Sequence, residues 1–324
     1  MASRVGTDTL TSVIFRGNSR PSIKSCHPDE RFSARRDLLS AGLQADTSRR
    51  NPALVTTIFH FAPLPLAQPI ELTRLMRKLL CITAHPDDEA GAFGGTLLLY
   101  HERGVQTSVI CMTEGTAARN RGTAKTNEEL AALRRAEFAQ SCKVLGVSHG
   151  EVLSYLDSKL DRADLYQAVG DLVLRIRRIR PQVIVTFGPD GGLTGHLDHA
   201  MAGVFGTMAF EWAGRKDRYP EQLQDGLTPH QAQKLYYHAS DFLLPDRPPI
   251  SQPTITTRLE IGAERFEQKD HAFRQHTTQT PLFERVRKNL GDALGTMEMF
   301  HLAATKTPQQ AKLETDLFEG VVDD

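Results

Sequence analysis

The sequence predicts an α/β fold: a Rossmann-like, mostly parallel sheet with helices on both faces, forming a single catalytic domain over residues 76–324. Two observations predict it. From residue 77 onward, short apolar runs alternate with longer helical patterns in the order β-α-β-α-β-α-β-α. Polar, chemistry-bearing clusters follow residues 84, 113, 156 and 188, at the strand ends where such sheets bind ligands. A chain of 324 residues accommodates one domain of this class plus an appendage. Its composition, 40% hydrophobic and 24% charged, excludes a wholly disordered or fibrous protein.

The elements can be justified in order. Residues 78–84 form an apolar run ending in Ala84-His85-Pro86, a buried strand. Residues 89–103 read as a helix whose glycines allow close packing on the sheet and which stops at Gly104. Residues 107–113 are a second strand, and the polar stretch 114–126 a mobile loop. Asn127 caps a helix running to Leu145 and Gly146. Residues 151–156 are a third strand. A helix from Asp161 or Asp164 reaches Arg180 before Pro181, with Arg175, Arg177, Arg178 and Arg180 as a solvated face. Residues 182–188 are a fourth strand, followed by a Gly-rich loop and a helix to about Ala213. Residues 234–239 and 254–261 read as later strands, and 264–275 and 282–302 as closing helices.

Residues 1–75 read differently. They are broken by prolines, carry ten basic against six acidic residues, and show no sustained period. No compact apolar segment precedes a small-residue cleavage site, and scattered acids weaken a transit-peptide reading. Met76-Arg77-Lys78-Leu79-Leu80 resembles a start directly into the first strand. A poorly structured N-terminal extension is expected.

Lysines plus arginines equal aspartates plus glutamates at 39 each, which gives no sign of a nucleic-acid partner. No run of about 18 apolar residues exists, so no membrane span is expected, and a cytoplasmic location follows as an expectation. Cys26, Cys81, Cys111 and Cys142 form no C-x-x-C pair. Cys81 and Cys111 lie in strand-like runs as buried free thiols. Any metal site must therefore use histidines and carboxylates.

Two clusters carry chemistry. Ala84-His85-Pro86-Asp87-Asp88-Glu89 places a histidine and three acids directly after a strand. A helix cap accounts for one carboxylate, not for all four ionisable groups. The second cluster, Gly195-His196-Leu197-Asp198-His199, opens a helix after the fourth strand. Together His85, Asp88 and His199 make a His₂-carboxylate set, a complement suited to catalytic zinc. Asp87 and Asp198 are left as non-ligand carboxylates: one can act as base, the other can fix a histidine tautomer.

These motifs resemble the LmbE/PIG-L family of zinc-dependent N-deacetylases, whose pattern is A-H-P-D-D-E near the start and H-x-D-H about a hundred residues later. The resemblance implies that His85, Asp88 and His199 bind one Zn²⁺ per chain. It further implies that Asp87 is the general base towards a metal-activated water, that His196 acts as acid or oxyanion stabiliser, and that Asp198 orients His196. Arg134 and Asp157 occupy positions similar to the family's substrate contacts. Lys269-x-x-Ala272-x-x-x-His276-x-x-Gln279 resembles a later signature, with His276 equally readable as a structural cap. Thr194 stands where some members carry Tyr and Leu197 where many carry Pro, so a Tyr-type oxyanion contact must come from elsewhere, with Tyr236 and Tyr237 as candidates. The implied substrate is a small N-acetylglucosamine-type conjugate. Amide cleavage in a thiol-sugar adduct and a non-catalytic metal- or sugar-binding role are the alternatives, and homo-oligomerisation is left open. A two-metal phosphoesterase lacks a second ligand set. A nucleotide-binding protein lacks G-x-G-x-x-G, because residues 91–95 read Gly-Ala-Phe-Gly-Gly.

Overall fold

The computed structural model describes residues 76–244, 251–290, 295–309 and 312–323. The expectation for residues 1–75, and Cys26 with it, lies outside the described residues. Five parallel strands form most of the sheet: β1 (Lys78–Thr83), β2 (Gln106–Thr113), β3 (His149–Tyr155), β4 (Val183–Thr186) and β5 (Lys234–Ala239). β6 (Thr257–Glu260) and β7 (Met297–Thr305) are antiparallel, and the order across the sheet is β3-β2-β1-β4-β5-β7-β6.

Strand alternation builds a core on each face. Leu79, Cys81 and Val109 point to one cluster with Leu97, Phe138 and Phe300; Leu80, Ile82 and Ile110 point to another with Leu172, Ile176 and Phe205. Each fully buried aliphatic side chain stabilises the fold by about 1.5–3 kcal/mol. The helices are α1 (Asp88–Gly91), α2 (Gly94–Glu102), α3 (Asn127–Val144), α4 (Leu165–Ile179), α5 (Leu197–Ala213), α6 (Pro220–Gln224), α7 (Gly262–Phe273) and α8 (Thr280–Leu290). Among the described residues, no helix is long and apolar enough to cross a membrane. Cys81, Cys111 and Cys142 are buried free thiols.

Four expectations are corrected. The helix of residues 89–103 is two helices, α1 and α2, separated by Ala92 and Phe93. Thr126, not Asn127, caps α3: its side chain accepts from Glu129 N while Glu129 reaches back to Thr126 N, a reciprocal box. Arg177 is buried, donating to the carbonyls of Ala213, Arg215, Arg218 and Tyr219 and to Gln222 Oε1. It ties α4 to the loop after α5 instead of facing solvent. The closing helix of residues 282–302 is α8 followed by β7. Residues 297–305 contain good helix formers, but the open edges of β5 and β6 pair with them on both sides, and tertiary pairing overrides weak propensity.

Candidate active site

The chain leaves β1 towards β2 and β3 on one side, whereas β4 and β5 lie on the other, so β1 and β4 flank a topological switch point. Both sequence clusters sit there. His85, Asp87 and Asp88 follow β1, and a 3-10 turn at Gly192–Thr194 leads from β4 to His196 and α5. They open into a single cavity of about 610 Å³ that Arg134 and Asp157 also line.

Asp88 is anchored from behind. Its Oδ2 accepts the backbone N–H of Ala84 (3.1 Å) and His85 (2.8 Å), leaving Oδ1 3.1 Å from His199 Nε2. Burial pushes its carboxyl up, but the charge and hydrogen bonds of His199 and His85 outweigh that and hold it well below the usual range. His85 Nε2 donates to Asp157 Oδ1 (3.2 Å) and Asp198 Oδ2 (3.3 Å). These acceptor-only partners hold a proton on Nε2, and Nδ1 lies 3.6 Å from Asp88 Oδ2; burial lowers the His85 pKa, but its bonds to Asp157, Asp198 and Asp88 outweigh that and raise it well above the ordinary value. His199 Nδ1 and Thr194 Oγ1 are hydrogen-bonded at 3.3 Å, and the ring stacks on Phe187 at 4.1 Å, which fixes its plane.

The donor set therefore fits a divalent ion. His85 Nδ1 lies 3.6 Å from Asp88 Oδ2 and His199 Nε2 lies 3.1 Å from Asp88 Oδ1, spacings near the roughly 3.4 Å between neighbouring donors around a tetrahedral ion with bonds of about 2.1 Å. His196 lies beside them. The donor atoms of His85, His196 and His199 are all within 4.8 Å of one another, but His196 Nδ1 is already an acceptor, capping α5 by taking the Asp198 N–H at 3.1 Å. The neutral ring thus carries its proton on Nε2. Burial, then the neighbouring His85 and His199, push its pKa down.

Asp198 differs from its expected role. Its carboxylate holds His85, not His196, and also accepts from Ser158 N (2.7 Å) and Leu160 N (3.3 Å). Asp157 likewise spends one oxygen on His85 and the other on Ala117 N (2.7 Å). Burial raises its carboxyl, and the bond and charge of His85 bring it down to about 2. Both acids are thus bonded to His85, an arrangement of the kind found behind metal-binding histidines.

Asp87 stands in a strained backbone, φ 133° and ψ −26°, a region that L residues avoid. Three contacts hold it there. Glu89 Oε2 accepts its N–H (2.9 Å), its carbonyl accepts from Gly91 N (2.8 Å), and Arg134 donates to Asp87 Oδ2 (3.2 Å) and to the Pro86 carbonyl. Burial raises the Asp87 carboxyl and Arg134 lowers it, leaving it at about 6. Arg134 is only 3% exposed and also donates to Gly115 O (2.7 Å), so it is no surface ion pair.

Sequence reasoning missed the support behind these groups. Glu89 Oε1 accepts from Ser141 Oγ and from His276 Nε2, both at 2.6 Å, with His276 fully buried. His276 is thus a brace and not a helix cap. The acidic motif and the late histidine were the available signals, but nothing in their spacing pairs them across the fold. Thr194 is hydrogen-bonded to His199. Tyr236 is bonded to Glu314 and Tyr237 to Thr207; neither lines the cavity, whereas His238 on β5 does.

Comparison with known proteins agrees with this geometry. The family model described as "PIG-L: GlcNAc-PI de-N-acetylase" matches residues 80–210. The chain is 30% identical over 233 residues to a mycothiol S-conjugate amidase of Streptomyces coelicolor, covering 64% of this chain and 78% of the relative. It is also 30% identical over 294 residues to a 1D-myo-inositol 2-acetamido-2-deoxy-alpha-D-glucopyranoside deacetylase of Streptomyces avermitilis, covering 76% and 97%. The fold is similar to that of N,N'-diacetylchitobiose deacetylase from Pyrococcus horikoshii, with a TM-score of 0.57 at 24% identity over 70% of this chain and 83% of the other.

Proposed function

This chain belongs to the PIG-L family of de-N-acetylases, and on that premise we propose that it is a zinc-dependent N-deacetylase acting on an N-acetylglucosamine-type conjugate. The observation that carries the reading is that His85 Nδ1 and His199 Nε2 lie 3.6 and 3.1 Å from the two oxygens of Asp88, beside Asp87 in one cavity. A zinc ion held by these three donors would polarise the amide carbonyl and ease ionisation of water.

The chain's own groups do the proton work. Asp87, ionised at neutral pH with a pKa of about 6, takes a proton from the attacking water. The same carboxyl is poised to return that proton to the leaving nitrogen, so the proton count closes on Asp87. His196 is kept neutral by burial, with His85 and His199 pushing the same way. Its Nε2–H donates to the oxygen on which negative charge develops. Of the two roles the resemblance implies, acid or oxyanion stabiliser, this is the second. Arg134 fixes the Asp87 carboxylate and balances its charge; Asp157 and Asp198 set the His85 tautomer.

A second reading, cleavage of an amide in a thiol-sugar conjugate, is favoured by the similarity to the mycothiol S-conjugate amidase. One panel separates the two. N-acetylglucosaminyl inositol, diacetylchitobiose and cysteinyl-glucosaminide adducts are incubated with the zinc-loaded chain, and released acetate and free amine are measured. Acetate release from an N-acetylglucosaminide is expected. Amine release from the adducts alone would favour the second reading, and no hydrolysis across the panel would overturn both.

A further inference from the structure

One wall of the cavity is unused by the reaction. Besides the histidines, α7, α8, β7 and the segment after β5 present Phe242, Phe266, Phe273, Phe283, Met297 and Met299 to the same space. We propose that this wall is a subsite for an apolar aryl or alkyl group carried by the substrate beyond its acetylated sugar. The inference rests on the deacetylase reading for the position of the amide.

Three observations support it. First, the wall is built as an aromatic surface. Phe273 and Phe283 lie 5.3 Å apart between ring centres, and the Arg287 guanidinium stands over Phe266 (5.7 Å) and Phe283 (5.9 Å). Phe273 in turn rests on α1, where a Cβ at Gly91 would approach its ring to 3.0 Å. Second, the charged side chains of this wall already have partners. Lys269 is bound to the buried Glu298 (2.6 Å), Arg287 faces Asp270 (3.6 Å), and Asp241 holds Arg258 (3.1 Å). A polar or ionic substituent placed here would have to compete with those pairs, whereas an apolar one need only displace water from aromatic faces. Third, about 610 Å³ is the size of a cavity that encloses a drug-sized ligand, more than one acetylated hexosamine requires.

The apolar group could belong to the aglycone or to the N-acyl chain, and two series distinguish them. Binding of methyl, phenyl and octyl glucosaminides to the full chain is measured by calorimetry. N-acetyl and N-octanoyl forms of methyl glucosaminide are measured on the Asp87→Asn chain, which is expected to bind without turnover. At least a tenfold gain in affinity is expected for the phenyl or octyl member of one series, and that series names the source. The gain should shrink to below threefold in Phe283→Ala and in Met297→Ser, the latter a half-exposed site tolerant of change. Affinities flat within threefold in both series would overturn the proposal, as would a gain that survives both substitutions. Neither series requires hydrolysis, so failure to release acetate would count against the deacetylase reading alone.

Discussion

Asp87 combines a strained backbone with a carboxyl whose pKa is raised to about 6, and both properties come from its neighbours. Glu89 and Arg134 fix the backbone and the carboxylate; burial and Arg134 set the acidity in opposite directions. Asn at this position is nearly isosteric and cannot accept a proton. Asp87→Asn should therefore keep the fold and the ion while losing about 10²–10⁴-fold in kcat. Steady-state kinetics on ion-replete protein checks this, and near-normal kcat would remove Asp87 as base. Residue by residue, the site was legible wherever a motif is contiguous: His85, Asp87, Asp88, His196 and His199 all reach the cavity. The partners of those residues were not legible. Asp198 was paired in expectation with its sequence neighbour His196, but the fold brings the β1 end closer to its oxygen than the adjacent ring. Sequence proximity is a poor guide to hydrogen bonding at a strand crossover.

Between elements, two contacts govern how well the site is held. α5 lies so close to the end of β4 that a Cβ at Gly203 would collide with the Phe187 carbonyl oxygen. Backbone cannot yield as a side-chain tip can, so Gly203→Ala should push α5 outward and carry His199 with it. A destabilisation of about 1–3 kcal/mol and weaker ion binding are expected, read by thermal unfolding and metal titration; an unchanged metal affinity would show that α5 is not positioned this way. The second contact is the Glu89–His276 brace, which ties α1 to the segment after α7. Burial lowers the His276 pKa, but the charge and bond of Glu89 raise it more, leaving it above its ordinary value. A raised native pKa gives stability that is fully present below the unfolded value of about 6.5 and is lost as pH rises through the native one. Relative to His276→Gln, the protein should be more stable by about 3–5 kcal/mol below about pH 6.5, and the difference should shrink at an alkaline pH above the raised native value. Urea unfolding at both pH values measures it; a difference independent of pH would argue against ionisation of the brace. Elements with a strong local signal were legible, including β1, β2, α3 and α5. β7 was not, because its residues favour helix by themselves and become a strand only where β5 and β6 supply partners.

At the scale of the whole molecule, the reversal of strand order between β1 and β4 gathers residues some hundred positions apart into one cavity. The alternation of strand and helix was enough to expect a parallel sheet, and the mixed edge came from β6 and β7, whose direction no local pattern encodes. We propose that residues 76–324 form the catalytic unit. A chain beginning at Met76 should fold and keep its activity, checked by circular dichroism and acetate release, and an inactive or insoluble product would refute that boundary. The account as a whole depends on one bound ion held by His85, Asp88 and His199. The direct measurement is elemental analysis of the purified chain and of Asp88→Ala and His199→Ala, each assayed for acetate release in the same sample. Close to one zinc ion per chain in the wild type, with both ion and activity lost in each variant, is the predicted result; full occupancy with retained activity in both variants would contradict it.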